Sequence, residues 1–136
     1  MNDYIFIRAG NTNAKVILSE IQYAEADKNY IRIVTVAKQY VVRLSIEFFT
    51  TEKALCHLQF CRIHKSFAVS LKAITNLATN AVYIGDKRIP IGRNYKKAFL
   101  KRFKQFETYN KQGPTYFSGD VDSLIKEVNN KKAKLN

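Results

Sequence analysis

The chain has 136 residues, and its 23 lysines and arginines outnumber 11 aspartates and glutamates to give a formal net charge of +12. This length suits a single domain with its own core. The sequence holds no apolar run near the ~20 residues that cross a bilayer, no signal peptide and too few cysteines for a disulfide scaffold. We therefore expect a cytoplasmic protein whose charge favours nucleic acid or an anionic membrane surface as partner over a merely basic globule.

The first 44 residues alternate between apolar and polar side chains, as half-buried strands do. Polar breaks at residues 27–29 and 37–38 suit hairpin turns, and a short turn is expected at residues 18–20. The predicted strands cover residues 4–8, 13–17, 21–25, 30–36 and 39–44.

A helix is predicted next, because the Ser45 side chain can accept a hydrogen bond from the free amides of a helix start. It runs to about residue 55, with Ile46 and Phe49 facing inward. Further short strands are predicted after it, with a turn at residues 85–86. They cover residues 60–63, 67–70, 74–77, 81–84 and 87–91.

The clearest helix is predicted from Asn94, as its cap, to about Glu107. Aromatic residues recur in it at steps of four, four and three, which makes one apolar stripe. Six basic residues and no acid lie between residues 93 and 106. The stripe consists of Tyr95, Phe99, Phe103 and Phe106.

We expect one domain over residues 1–109 and a polar tail over residues 110–136. The tail contains a short amphipathic helix that Asp120 can cap. The predicted fold class is mostly β with two or three helices. The apolar positions of the tail helix are Val121, Leu124, Ile125 and Val128.

The sequence does not predict an enzyme, since it lacks a glycine-rich phosphate loop, a nucleophile elbow and a pair of carboxylates at catalytic spacing. Four potential zinc ligands do cluster within nine residues: Cys56, His57, Cys61 and His64. The first two are adjacent, however, and the last two face opposite sides of an extended strand, which does not suit a tetrahedral site. We expect no metal and no cofactor, and we expect Cys61 to pack as a small hydrophobe.

Basic and amide side chains recur at three predicted loop tips, and this pattern favours a polyanion as partner. Lysine suits phosphate, asparagine can pair with adenine or hold a phosphate, and the fork of an arginine matches the guanine edge. Each residue taken alone is more often a solvated surface residue, so the coincidence of three tips carries the prediction. The candidate contacts are Lys28, Asn29, Tyr30, Lys65, Ser66, Arg93, Asn94, Lys96 and Lys97.

Two of these tips also lie within longer motifs. F-C-R-I-H-K-S-F at residues 60–67 runs into V-S-L, and I-P-I-G-R-N-Y at residues 89–95 opens the last helix. A weaker motif, I-Q-Y-A-E-A, starts at residue 21 and is followed by Asn29 and Tyr30. Together they resemble the LytTR family of bacterial DNA-binding domains. The resemblance implies an elongated antiparallel β fold whose loops enter the DNA grooves.

Carried over by position, the family's loop contacts fall at residues 28–31, at Lys65 and at Arg93. Some relatives have a base-reading histidine where this chain has Tyr30 or Ile31, and asparagine in place of Lys65. Lys65 is then expected to contact phosphate, and His64 to brace its loop.

The resemblance also implies the partner, which is double-stranded DNA with a direct-repeat site for two copies of the protein. A homodimer on DNA and a regulatory protein are further expected partners. The resulting hypothesis is a cytoplasmic bacterial transcription regulator that binds DNA sequence-specifically. The alternative is a basic membrane-surface or protein-interaction module without membrane insertion.

Overall fold

The computed structural model describes residues 4–48 and 60–109. In these residues the chain forms three antiparallel sheets and one α-helix, with short 3-10 turns at Leu18–Glu20 and Leu71–Ala73. The strands are β1 (Tyr4–Ala9), β2 (Thr12–Ile17), β3 (Ile21–Asp27), β4 (Tyr30–Thr35), β5 (Gln39–Val42), β6 (Phe60–His64), β7 (Phe67–Ser70), β8 (Asn76–Leu77), β9 (Ala81–Ile84) and β10 (Lys87–Pro90), and the helix is α1 (Lys96–Tyr109).

The central sheet has five strands in the order β5-β4-β3-β7-β6. Its middle strand, β3, pairs with its sequence neighbour β4 and with the distant β7, where Tyr23 lies opposite Val69 and Glu25 opposite Phe67. The β1–β2 hairpin and the sheet of β8, β9 and β10 are separate from it. The mostly β, antiparallel fold class predicted from the sequence is confirmed.

The core has two parts, because alternate side chains of the central strands point to opposite faces. On one face Tyr23 and Val69 pack with α1 and the β8–β10 sheet. On the other face Ala24 and Ile33 pack with the β1–β2 hairpin. Several of these side chains are completely buried, and each contributes roughly 1.5–3 kcal/mol to folding. They include Ile33, Ile63, Val82, Ile89 and Phe99.

Two residues of the predicted aromatic stripe are buried by α1, Phe99 fully and Phe103 nearly so, while Tyr95 before the helix and Phe106 are half-buried. The helix begins at Lys96, and its first hydrogen bond runs from the Phe99 amide to the Tyr95 carbonyl at 2.9 Å. Asn94 lies in the preceding turn. The predicted cap at Asn94 is therefore one residue early, because the carbonyl that accepts this first hydrogen bond belongs to Tyr95.

Most predicted strands are present with ends that differ by one or two residues. The strand predicted at residues 74–77 is shorter, since the Ile74 amide bonds back to Leu71 and closes a 3-10 turn. Of the helix predicted after Ser45, only residues up to 48 are described. The amphipathic tail and the predicted domain boundary after residue 109 lie outside the described residues.

Candidate nucleic-acid interface

The first predicted tip is the two-residue loop of the β3–β4 hairpin, Lys28 and Asn29, which we call the β3–β4 tip. The strands pair up to Asp27 and Tyr30, so only these two residues turn the chain. Lys28 has φ = +58°, a conformation that L-residues with a Cβ rarely adopt. Tyr30 follows at the base of the loop and is 47% exposed.

The same backbone conformation occurs in two other two-residue hairpins of the described chain. Gly10 opens the β1–β2 loop with φ = +66°, and Gly85 opens the β9–β10 loop with φ = +60°. Lysine thus occupies a position that is glycine in these two hairpins, whereas the two-residue β6–β7 loop has no residue with a positive φ. A strained residue of this kind points to a role for its side chain.

An open groove of about 410 Å³ lies beside the β3–β4 tip. It is lined by Lys28 and Asn29 from the tip and by Arg43, Leu44 and Ser45 from the chain after β5. Arg43 is exposed. Arg43 is not among the contacts predicted from the sequence, although its place one residue after a strand that pairs with β4 is a signal that could have indicated it.

The second predicted tip is the turn between β6 and β7, Lys65 and Ser66, which we call the β6–β7 tip. Lys65 is exposed. The Ser66 amide donates a hydrogen bond of 3.0 Å to Nδ1 of His64. This bond uses the Nδ1 lone pair and therefore leaves the ring proton on Nε2. The contact agrees with the expectation that His64 braces the loop.

Arg62 contacts the same turn from its base. Its Nε donates to the His64 carbonyl at 3.3 Å, and its Nη2 donates to the Lys65 carbonyl at 2.7 Å. Its Nη1 lies 3.9 Å from the Glu47 carboxylate, and its guanidinium lies 5.5 Å from the centre of the Tyr95 ring. In the sequence Arg62 is visible only as part of a motif, and these contacts were not predicted.

The third predicted tip is the segment that joins β10 to α1, residues 92–95, which we call the Arg93 loop. It lies on β6, because the Gly92 amide donates a 2.7 Å hydrogen bond to the Ile63 carbonyl. A Cβ at Gly92 would come within 3.1 Å of the Tyr95 ring and 3.4 Å of the His64 Cα, so glycine permits this close approach. Arg93 and Asn94 are exposed.

Two further predicted residues follow on α1. Lys97 is exposed, whereas Lys96 donates a 3.0 Å hydrogen bond to the Asn80 side chain. Lys96 is thus held against the chain between β8 and β9, and Lys97 projects from the helix surface.

Backbone hydrogen bonds bring the three tips to one end of the central sheet. The Ala26 amide donates to the Ser66 carbonyl at 2.8 Å, which ties the β6–β7 tip to the end of β3, just before Lys28. The Gly92–Ile63 bond adds the Arg93 loop at the same end of β6. The structure therefore places the predicted residues of the three tips on one surface.

One acidic group near this surface, Glu25, is partly neutralised, whereas Asp27 lies exposed beside Lys28. An oxygen of Glu25 lies 3.7 Å from the Arg32 guanidinium and 4.0 Å from the Lys87 ammonium. Both cations also lie on the face of the sheet that Glu25 occupies. Glu25 is thus paired with cations that lie outside the three tips.

The cysteine in the described region is structural. Cys61 is buried, and burial raises its thiol pKa, although the neighbouring Arg102 acts in the opposite direction. It packs with Ile63 and Phe99 as the predicted small hydrophobe. Within residues 4–48 and 60–109, no three potential metal ligands come together, and Cys56 and His57 lie outside these ranges.

Residues 12–104 match the family model of the LytTr DNA-binding domain. The chain belongs to this family. LytTr membership supports DNA binding and regulation as its role, and the family is one of DNA-binding domains rather than enzymes.

A solved structure has the same fold. It is the LytTr DNA-binding domain of a Bacillus cereus protein described as a methyl-accepting/DNA response regulator. The two share 18% sequence identity with a TM-score of 0.62, and the match covers 75% of this chain and 97% of the other. No curated protein sequence matches this chain significantly. In the described part of this LytTr chain, no helix is both long enough and apolar enough to span a bilayer.

Proposed function

We propose that this LytTr chain binds double-stranded DNA sequence-specifically by inserting loops into its grooves, as a cytoplasmic bacterial transcription regulator. The observation that supports this most is the meeting of three basic tips at one end of the sheet. Exposed Lys65 and Arg93 lie on loops that are tied to one strand, β6, by short hydrogen bonds. Loops held this firmly present side chains at fixed spacing, which recognition of base edges requires.

The tips have different roles in the proposal. Arg93 reads a base pair through the two acceptors of guanine, because its fork matches them. Lys28 and Lys65 contact phosphates, which fix the register without reading sequence. Asn29, Tyr30, Ser66 and Asn94 add contacts at the same loops, and Lys96 and Lys97 extend the positive surface along α1.

Two copies are proposed to bind one direct-repeat site, so that each copy presents the same end of its sheet to successive segments of the duplex. A regulatory partner protein is proposed to control this binding. Both proposals come from the resemblance of the sequence to LytTR domains.

Selection of bound sequences from random duplexes tests the function. We expect one enriched motif that occurs twice in the same orientation, with a stoichiometry of two chains per duplex. Affinity for that duplex should fall with salt at a log-log slope on the order of −3 or steeper. Equal recovery of all sequences would contradict specific binding.

A membrane-surface role is the alternative, and one observation favours it. Tyr4 and Phe6 are 50% and 62% exposed on β1, and the Lys15 ammonium lies 4.3 Å from the Tyr4 ring centre. Aromatic rings beside a cation suit a lipid headgroup region. Binding to vesicles of anionic phospholipid, compared with DNA at the same salt, separates the two roles. Tight vesicle binding that Phe6→Ser removes would favour the membrane.

A further inference from the structure

We propose that Arg62 is a positioning residue that holds the β6–β7 tip and the Arg93 loop in one geometry without itself contacting DNA. This inference rests on the proposed DNA-binding function, because it concerns how the binding loops are presented. Its evidence is the set of contacts that one guanidinium makes with both loops.

The register of β6 against β7 shifts between Arg62 and His64. Such a shift interrupts the ladder and turns the chain, which leaves nearby carbonyls in need of other donors. Arg62 supplies them by donating to the carbonyls of His64 and Lys65. Two donors of one planar group therefore fix two successive peptides, His64–Lys65 and Lys65–Ser66.

The same guanidinium reaches the other loop through an aromatic ring. It lies 5.5 Å from the ring centre of Tyr95, within the range of a cation–π contact. Tyr95 is the last residue of the Arg93 loop, directly before α1, and its amide is bonded to the Gly92 carbonyl, so its ring position follows that of the loop. A shift of Arg62 would thus move both the β6–β7 tip and the Arg93 loop.

Arg62 is poorly placed to contact DNA itself. Its side chain is only 22% exposed, and Nε, Nη1 and Nη2 each already face a partner. Arg93, in contrast, is exposed. Arg93 and Lys65 consequently contact the DNA, and Arg62 keeps these two residues aligned.

Lysine at position 62 separates charge from geometry, because it keeps the positive charge but cannot donate to two carbonyls from a planar fork. We expect Arg62→Lys to lower affinity for the selected duplex on the order of tenfold, the effect of losing one charge-assisted hydrogen bond. Affinity for random duplex should fall less, so the ratio of the two affinities decreases. Hydrogen exchange at the Ser66 amide should become faster while the fold is retained.

Two comparisons accompany this variant. Arg88→Lys, at an exposed position on β10, is the matched control. It should change neither the ratio of the two DNA affinities nor the hydrogen exchange at the Ser66 amide. Tyr95→Leu removes the ring that links the two loops and should lower the same affinity ratio. Because both substitutions remove one link, the double variant with Arg62→Lys should lose less than the product of the single losses.

The outcomes separate this inference from the proposed function. If the unaltered chain shows no preferred duplex, the proposed function is wrong. If it has one and folded Arg62→Lys binds with the same affinity ratio, the positioning role is wrong. Equal weakening on all duplexes with unchanged Ser66 exchange would assign Arg62 a direct phosphate contact and overturn the inference. If Arg62→Lys does not fold, Tyr95→Leu tests the inference instead. An unchanged ratio of affinities for selected and random duplex in that variant would contradict the coupling of the two loops.

Discussion

Lys28 and Gly85 occupy the same position in two hairpins of this LytTr domain, the first residue of a two-residue loop, with φ of +58° and +60°. At Gly85 a Cβ would meet no atom within 4 Å, so the conformation alone favours glycine there. A side chain in this region costs about 1 kcal/mol. The β3–β4 tip therefore retains a lysine at a cost in stability.

Lys28→Gly should raise stability and lower DNA affinity. The substitution relieves the positive φ, which stabilises the fold by about 1 kcal/mol, and it removes a cation from the β3–β4 tip. Thermal unfolding and DNA titration at fixed salt measure the two effects. Gly85→Lys is the matched control and should lose about 1 kcal/mol of stability. Stronger DNA binding by Lys28→Gly would contradict a contact from this lysine.

Lys65→Ala should weaken all duplexes about equally. Lys65 is exposed at the β6–β7 tip and is proposed to contact phosphate, so its loss should reduce the salt slope by about 1. Titrations at several salt concentrations measure this. Lys72→Ala, an exposed lysine at the opposite end of β7, is the matched control and should leave the slope unchanged. An unchanged slope for Lys65→Ala would exclude the phosphate contact.

The strands of this domain could be predicted from the sequence because their alternating side chains are a local signal. The helix start was placed one residue early, since the first helical hydrogen bond, from Phe99 to Tyr95, is a backbone contact that no side-chain pattern reports. The meeting of the tips depends on the pairing of β3 with β7, which are more than forty residues apart along the chain. The candidate residues could therefore be selected from the sequence. The contacts of Arg62 could not be predicted, because they depend on the register shift in β6, which the sequence does not reveal.

Cys61 should resist alkylation in the folded protein. Burial raises its thiol pKa, so the reactive thiolate is scarce near pH 8. In a Cys56→Ala background, iodoacetamide should modify Cys61 only as fast as the chain unfolds. Stability should also fall as pH rises above the thiol pKa of the unfolded chain, about 8.5, because only the unfolded state then releases its proton. Rapid labelling without unfolding would show an accessible thiolate.

The tail is predicted to dock through its apolar stripe, since a helix this short is marginal alone in water. Truncation after Gly113 should lower the thermal midpoint by several degrees if the tail docks on its own domain. It should instead halve the mass in solution if the tail joins two copies. The variant Leu124→Asp should reproduce the effect, with Lys126→Ala as control. Unchanged stability, mass and DNA binding after truncation would contradict docking.

The most direct test of sequence-specific recognition compares Arg93→Ala and Arg93→Lys on the selected duplex and on its single-base variants at one salt concentration. Arg93→Ala should cost about 1–3 kcal/mol on the selected duplex and remove the preference at one base pair. Arg93→Lys should retain most affinity for random DNA but lose the same preference, because the charge remains and the fork does not. If Arg93→Ala instead weakens every duplex by the same factor, Arg93 holds a phosphate and does not read a base.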